Sequence, residues 1–443
     1  MIPTRSLCAL LIVATVAAYP QSTNTAVDAA FRKFWAAKSP AEAEKSTKDV
    51  VKTGVTFDEA FRRLKDGRTY EAQPQGVIRS NYNAPDGVQY HYALNIPSTY
   101  DPAKRYQVRF QLHGGIGGRV LNEPRGSGEI GALAGAEQIY VIPYAWVGAA
   151  WWSDHQVLNF NTILDIIKRS YNVDENRVVV SGVSDGATGA YYIAMHDTTP
   201  YASFLPLNGS IEVLTANGID DGAIYPNNLR NKPMFVVNGG RDRLYPTRRV
   251  EPYLQHLMRG GVQIDYQPQP DGEHNTAWWP EVKDVYETFV KTHPRDPHPD
   301  KLTWEAGDLY HARAHWLVIN RIGNEAPGTK DLPDLNVMRD YDRMADFIPQ
   351  AGMMFERKKM SGRVDLTRTA NTVQVATSNV TAFTLLLSPD KFDLTQPVKV
   401  VANGREVFNG RVERNVETLL KWAARDNDRT MLYAAELAIN LRK

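Results

Sequence analysis

The sequence predicts an α/β fold, a doubly wound and mostly parallel sheet, followed by a mainly β domain at the C-terminal end. From about residue 139 to residue 291, strand-like segments alternate with helical stretches, which is typical of a parallel sheet covered by helices on both faces. Beyond residue 301 the segments are almost all strand-like. At 443 residues the chain is also longer than one hydrophobic core usually organises, so more than one domain is expected.

Residues 1–18 have the pattern of a secretory signal peptide. Arg5 precedes an apolar run over residues 7–18, and small residues stand at Val16 and Ala18, where cleavage is expected. The run is short for a transmembrane helix, and a retained N-terminal anchor is the alternative. The protein is therefore expected to be secreted or periplasmic, with no membrane span in its mature form.

Composition excludes several kinds of site and partner. Cys8 is the only cysteine and lies in the predicted signal, so disulfides, a cysteine-ligated metal and a cysteine nucleophile are excluded from the mature chain. A formal net charge of +1 argues against nucleic acid or an acidic membrane as the main partner. We expect no metal and no cofactor.

A helical lead-in is predicted over residues 19–74, because apolar residues recur three and four positions apart between Thr25 and Tyr70. We expect it to pack against the residues that follow, with a lid over a site as the alternative. The α/β domain is predicted over residues 75–295. Its strand-like segments are 76–79, 89–97, 106–112, 139–143, 177–180, 203–207, 233–238 and 264–268, with helices at 157–171, after 184 and at 281–291.

The segment 292–300 is rich in proline and charge and is predicted to be a linker, because it cannot continue the preceding helix. Residues 301–443 are predicted to form the mainly β domain. Asn403-Gly404 between apolar runs predicts a hairpin there. One helix is expected over residues 415–425.

Ser184 stands in the pattern Gly182-Val-Ser-Asp-Gly186, after a β-branched run and before a helix-compatible stretch. This layout is typical of a nucleophile elbow, in which a serine occupies a sharp strand-to-helix turn. The glycines are needed because strand and helix backbones approach too closely for side chains at those positions. The sequence therefore predicts Ser184 as a nucleophile, and the alternative is a structural turn that merely contains a serine.

A serine hydroxyl needs a base that a carboxylate orients, and in sheets of this type the chain order is serine, acid, histidine. Asp242 follows one predicted strand and His274 the next, so both fall with Ser184 at the carboxyl ends of strands. Asp271 and Glu273 are rival acids, but they lie too near His274 in sequence to orient it easily. The alternatives are a turn-stabilising role for Asp242 and an ordinary surface position for His274.

An oxyanion hole needs two backbone donors. One is expected to be the N–H of Asp185, directly after the nucleophile. The other is expected in the glycine-rich segment 112–118, with Gly115 favoured and Ile116 the next choice, because glycine lets backbone approach a substrate closely. His113 is predicted to be a structural hydrogen-bonding residue rather than a second base.

Four motifs together resemble those of the α/β-hydrolase superfamily. They are Leu-His-Gly-Gly at 112–115, Gly-Val-Ser-Asp-Gly at 182–186, Asn-Gly-Gly-Arg-Asp-Arg-Leu-Tyr-Pro at 238–246 and Gly-Glu-His-Asn at 272–275. The nearest likeness is to secreted esterases, poly(hydroxyalkanoate) depolymerases and serine hydrolases of the prolyl-oligopeptidase type. The resemblance covers about residues 75–295 and implies Ser184 as nucleophile, His274 as base and Asp242 as its partner. The chain departs from the hormone-sensitive-lipase pattern at Ile116, where that pattern has a third glycine.

Two tryptophan pairs flank the predicted site in sequence, and from them Trp152 and Trp278 are candidate substrate-binding residues. They would form an aromatic wall for an aromatic or sugar-bearing substrate. Core or rim packing is the alternative, because tryptophan is usually well buried.

These observations predict a secreted serine hydrolase that cleaves small-molecule or polymeric carboxylic esters through an acyl-enzyme. An ester is expected first, because nothing in the sequence supplies the gating or subsites needed for peptide selectivity. A peptidase of the prolyl-oligopeptidase type is one alternative. A non-catalytic polymer-binding protein on a hydrolase fold is the other.

Overall fold

The computed structural model describes residues 25–85, 87–118, 120, 131–215, 219, 222–325, 335–339, 348–352 and 359–441. The predicted signal peptide, with Cys8, lies outside these residues and stays a prediction. Within the described ranges, no helix is both long and apolar enough to cross a bilayer.

Eight α-helices form in the described part of the chain, and the capping chemistry explains where two of them begin. The side chain of Ser39 accepts a hydrogen bond from the N–H of Glu42 at the start of the second helix, and Thr56 does the same for Glu59 at the start of the third. The helices are α1 (Thr25–Ala36), α2 (Pro40–Lys52), α3 (Phe57–Asp66), α4 (Asp154–Ser170), α5 (Asp185–His196), α6 (Thr247–Arg259), α7 (Trp279–Thr292) and α8 (Val416–Asp426).

Eight strands form one large sheet. They are β1 (Gly76–Asn83), β2 (Gln89–Ile96), β3 (Tyr106–Leu112), β4 (Ile139–Pro143), β5 (Val173–Val183), β6 (Ser203–Leu207), β7 (Met234–Gly239) and β8 (Ile264–Gln269). Their order across the sheet is β1-β2-β4-β3-β5-β6-β7-β8. Strands β1 and β2 pair antiparallel, β2 pairs antiparallel with β4, and all further neighbours pair parallel.

Helices cover both faces of this sheet, as predicted for a doubly wound fold. Residues of α4, α5 and α6 share one core cluster with alternate residues of the central strands, including Phe110 and Val180. Helix α7 packs on the opposite face, where Tyr286 and Phe289 meet Val179 and neighbouring strand residues. Strands buried on both faces are expected to be continuously apolar, which explains the β-branched run in β5.

The C-terminal part, residues 301–441 and called the β region below, is mainly β. Its strands are β9 (Lys301–Ala306), β10 (Arg313–Ala314), β11 (Leu317–Ile322), β12 (Leu335–Arg339), β13 (Ile348–Gly352), β14 (Gly362–Thr369), β15 (Thr372–Ser378), β16 (Val380–Leu387), β17 (Val398–Ala402), β18 (Arg405–Gly410) and β19 (Ala435–Asn440). They form a sheet of order β18-β17-β15-β14-β9, a second of order β10-β11-β16-β19, and the hairpin β12-β13.

The two larger sheets of the β region share one core. Trp304 and Val373 of the first sheet lie in the same buried cluster as Phe383 and Leu385 of the second. The predicted hairpin is present between β17 and β18, and Asn403 and Gly404 at its tip both have positive φ, 51° and 76°. The predicted helix is α8.

Helices α1 to α3 have a partner that the sequence did not indicate. Phe31 and Phe34 of α1 and Leu64 of α3 share a buried cluster with Leu419 and Leu420 of α8, near the other end of the chain. The boundaries 19–74, 75–295 and 301–443 stay predictions.

The segment 292–300, which the sequence predicted to be a linker, contains a buried side chain at the interface with the β region. Arg295 is 3% exposed. Its guanidinium donates hydrogen bonds to Asn176 of β5 and, at 2.8 Å, to Asp428 of the β region. Proline and charge ended the helix as expected, but an arginine at this point serves to join two parts of the molecule.

Candidate active site

Ser184 lies on the turn between β5 and α5. Its φ is 58° and its ψ is −119°, a conformation that is costly for a residue with a side chain. The two glycines of the motif make the turn sterically feasible. A Cβ on Gly182 would collide with the backbone of Gly186, and one on Gly186 would collide with the backbone of Leu112. The sequence pattern therefore reflects the close packing of β5, α5 and β3.

A hydrogen-bond chain joins the three predicted catalytic side chains. The Nε2 atom of His274 is 3.0 Å from the Oγ of Ser184, and its Nδ1 atom is 2.7 Å from the Oδ2 of Asp242. Asp242 follows β7 and His274 follows β8, so the carboxyl ends of three parallel strands bring them together. The rival Asp271 is exposed and pairs with Arg241 instead.

The surroundings of Asp242 favour its charged form. Burial alone would raise the pKa of this carboxyl, but hydrogen bonds from His274 and from the N–H groups of Tyr245 and Leu244 outweigh burial and lower it. An ionised carboxylate only accepts, so Nδ1 of His274 carries the proton and Nε2 is left as an acceptor for the Ser184 hydroxyl. This is the protonation state that a general base requires.

The glycine-rich loop after β3 lies against Ser184. A Cβ on Gly114 would be 2.8 Å from the Cβ of Ser184. The N–H of Ile116 donates a 2.8 Å hydrogen bond to the Oδ2 of Asp185. The N–H of Ile116 is thus engaged with Asp185. Gly115 has a positive φ of 67°, and its role as the loop's oxyanion donor stays a prediction.

His113 is the structural residue that the sequence predicted. Its Nε2 accepts a hydrogen bond from the N–H of Ala145 at 3.1 Å, and its Nδ1 lies 3.0 Å from the carbonyl oxygen of Gly114. Trp151, which is fully buried, donates to the carbonyl of His113. Both ring nitrogens are thus engaged in holding the loop.

The two candidate tryptophans differ in how deeply they are buried. Trp278 is only 5% exposed and packs in the cluster on the α7 face of the sheet, which favours the packing alternative for this residue. Trp152 is partly buried against the main core. A substrate-binding role for either residue stays a prediction.

Two residues of the site were not found from the sequence. Asn208, fully buried with φ 48°, donates a 2.6 Å hydrogen bond from Nδ2 to the carbonyl of Asn275 and so tethers the loop that carries His274. The ring of Tyr245 lies 5.8 Å from that of His274. Burial, with the nearby negative charge of Asp185, raises the pKa of Tyr245 to about 12. Asn208-Gly209 marked a turn, but no local pattern showed what the turn reaches.

In the described ranges, no cluster of three or more histidine, cysteine, aspartate or glutamate side chains has the arrangement of a metal site.

The amino-acid sequence matches a known protein over part of its length. No family model matches the chain. The bifunctional acetylxylan esterase/xylanase XynS20E of Neocallimastix patriciarum is 24% identical over 211 residues, which are 44% of this chain and 29% of that protein. This chain therefore matches less than a third of the length of that relative.

Solved structures that align with part of the chain include several esterases. A ferulic acid esterase aligns with 48% of this chain and 96% of its own, at 18% identity and a TM-score of 0.38. Thermogutta terrifontis esterase 2 aligns with 49% of this chain and 94% of its own, at 16% identity and a TM-score of 0.40. A thermostable esterase aligns with 49% of this chain and 63% of its own, at 17% identity and a TM-score of 0.38.

The topology of the sheet and its helices identifies the fold. A central sheet in which only β2 runs antiparallel to its neighbours is covered by helices on both faces. A serine stands on the sharp turn from β5 into α5, and an acid and a histidine follow β7 and β8 in that order. This chain thus has the α/β-hydrolase fold, followed by a mainly β region.

Proposed function

We propose that this protein is a secreted serine hydrolase that cleaves carboxylic esters through an acyl-enzyme. The observation that supports this most strongly is the hydrogen-bond chain from Ser184 through His274 to Asp242. A buried carboxylate, an oriented imidazole and a strained serine together form the arrangement that activates a hydroxyl for nucleophilic attack.

In the first half of the reaction, the Oγ of Ser184 attacks the ester carbonyl carbon while Nε2 of His274 takes the hydroxyl proton. Asp242 stabilises the imidazolium that forms. The N–H groups of Gly115 and Asp185 bind the negative oxygen of the tetrahedral intermediate. The intermediate collapses, the alkoxide leaves with the proton from His274, and the acyl group remains on Ser184.

In the second half, a water molecule attacks the acyl-enzyme while His274 takes its proton. The second tetrahedral intermediate uses the same two backbone donors, and its collapse returns the proton to Ser184 and releases the carboxylic acid. Every proton transferred moves between His274 and a reacting oxygen, so the cycle requires no metal or cofactor.

The proposal of an ester substrate has a second source of support. The name of the matched relative includes an acetylxylan esterase activity, and the match of 211 residues has about the length of one hydrolase unit. Secretion rests on the pattern of residues 1–18.

The test is labelling of the mature protein with a fluorophosphonate, followed by peptide mapping and assays with matched esters and peptide amides. We expect one modified residue, Ser184, with no labelling in Ser184→Ala or His274→Ala. His155→Ala, which removes an exposed histidine on α4, is the matched control and should label normally. Folded wild-type protein that does not label would contradict the proposal, and faster cleavage of amides than of esters would favour the peptidase.

A further inference from the structure

A cavity of about 800 Å³ lies at the end of α5 opposite to Ser184. His196 and Asp197 line it at the C-terminal end of that helix, which has 12 residues and so separates the cavity from Ser184 by about 18 Å. Its other walls come from the start of α2 with the residues before it, from the end of β1, from α4, from the β10 side of the β region and from the end of α8. A volume of this size is typical of sites for small organic molecules.

The rim of the cavity is apolar and exposed. Leu158 of α4 is 45% exposed, and Leu309 and Tyr310 of the β region are 61% and 58% exposed. Large apolar side chains exposed around a concave surface are typical of a binding site. The rim therefore fits a ligand with an apolar body.

The acidic side chains that line the cavity are already engaged. The pairs are Asp165 with Arg169 at 2.7 Å, Asp426 with Arg313 at 2.6 Å and Asp197 with Asn161 at 2.7 Å. Burial also raises the pKa of Asp197, which reduces its tendency to carry a negative charge. The carboxylates therefore contribute little free negative charge to the cavity.

The basic side chains that line the cavity are only partly paired with carboxylates. Four basic side chains line the cavity, and of these Lys168 pairs with Asp428 and Arg313 with Asp426. Within the described residues, no ion pair joins the side chain of Arg425 or of Lys38 to a carboxylate, although the backbone N–H of Lys38 donates to Glu42. Asp426, Asp197 and Glu44 act on Arg425 at longer range. The lining carries four basic and three acidic side chains. The guanidinium of Arg425 lies over the ring of Trp422 at 5.0 Å, which limits the positions it can take. The cavity therefore has an excess of positive charge.

We infer that this cavity binds a small organic acid, with its carboxylate on Arg425 and Lys38 and its apolar body against Leu158, Leu309 and Tyr310. A guanidinium offers two parallel N–H donors that match a carboxylate, and Lys38 adds a point charge. Such an acid has the chemistry of the product of ester hydrolysis, and this connection alone rests on the proposed function.

The test is isothermal titration of the full-length mature protein with 4-phenylbutyrate and with the neutral 4-phenylbutanamide. We expect the acid to bind and the amide to bind at least about tenfold more weakly, because the amide lacks the charge. Arg425→Gln and, separately, Lys38→Gln should each weaken binding of the acid about tenfold. Arg411→Gln removes an exposed arginine outside the cavity and should leave binding unchanged.

A further titration of Ser184→Ala separates the two sites. Acid held by the cavity binds this variant normally, whether or not the protein is an esterase, whereas acid held at the triad is insensitive to Arg425→Gln and Lys38→Gln. Equal affinity for acid and amide, no binding of the acid at millimolar concentration, or unchanged affinity in both variants would overturn the inference. Circular dichroism melts establish that each variant is folded.

Discussion

Charged side chains are concentrated in two places: the carboxyl edge of the eight-stranded sheet, and the interface between that sheet and the β region. The two places differ in how far their charged groups are exposed to solvent. At the sheet edge the side chain of His274 is 28% exposed and joins a buried acid to the partly buried Ser184. At the interface Arg295 and Asp428 have fully buried side chains and pair with each other. An open chain of polar groups can move protons, whereas a closed pair can only hold two surfaces together.

The ion pairs at this interface attach the β region to the large sheet. Arg429 of the β region donates to both carboxylate oxygens of Glu175 on β5, at 2.6 and 3.0 Å, and also to the carbonyl of Val173. Burial would raise the pKa of Asp428, but Arg295 and Lys168 outweigh burial and hold it far below the ordinary value. The β region is therefore joined to the strand that ends at the nucleophile.

The sharpest test of the comparison at the sheet edge is Asp242→Asn. The oxygen of the asparagine side chain can still accept hydrogen bonds from the N–H groups of Leu244 and Tyr245. Its amide nitrogen, however, would donate a hydrogen bond to Nδ1 of His274, so the imidazole proton would move to Nε2. We expect kcat to fall about ten-thousandfold. The melting temperature should stay close to that of the wild type, and steady-state kinetics with a chromogenic ester beside a thermal melt measure both.

Asp428→Asn at the interface should lower stability and leave kcat unchanged. Removing one member of a buried pair leaves Arg295 without its charge partner, so we expect a loss of about 3–5 kcal/mol in the free energy of unfolding. The kcat of the protein that remains folded should not change. Urea denaturation at pH 7 measures the loss, and a large fall in kcat without destabilisation would break the comparison.

The effect of Asp428→Asn should also depend on pH in a defined direction. The pKa of Asp428 is lowered in the folded protein, so its contribution is complete above the unfolded value of about 3.9 and is lost as the pH falls through the folded value. The difference between variant and wild type should therefore be constant near neutrality and shrink below about pH 4. Asp393→Asn is the matched control, because Asp393 accepts from Thr395 as Asp428 does from Thr430, but is exposed.

Gly114→Ala should disturb the chemistry without a comparable loss of stability. The added Cβ would be 2.8 Å from the Cβ of Ser184 and 3.1 Å from the carbonyl oxygen of Val183, so the loop or the serine must shift. We expect kcat to fall about a hundredfold, the usual result of a displacement near 1 Å at reacting groups. Gly117→Ala adds a methyl group to the same loop where nothing lies within 4 Å, and its kcat should stay near the wild-type value.

The sequence predicted that Ser184, Asp242 and His274 lie together at one sheet edge, because the determinants of that arrangement are local. The glycines around Ser184 exist for a steric reason that acts within a few residues, and strand–loop spacing alone put Asp242 and His274 at the same edge. Alternation of strands and helices likewise predicted the doubly wound sheet. The positions of residues that short motifs determine can therefore be predicted from the sequence alone.

The interface was not predictable in the same way. Arg429 and Glu175 are 254 positions apart, and each looks like an ordinary surface charge in the sequence. The partner of α1 to α3 was missed for the same reason, because an amphipathic helix shows that it buries a face but not which element covers it. Contacts between segments that are distant in sequence produce no periodic pattern in either segment, so they could not be predicted from the sequence.

The smallest predicted effect concerns Asp185, which connects the two segments that would supply the proposed oxyanion hole. Its backbone N–H is one proposed donor, and its carboxylate accepts from the N–H of Ile116, beside the other. Asp185→Ala removes that anchor, so we expect kcat to fall about tenfold while KM changes little, because the donors matter most when the oxyanion forms. Asp185→Asn keeps an oxygen acceptor and should recover most of the loss. If both variants lose activity equally, the charge of Asp185 rather than its hold on the loop is what the site requires.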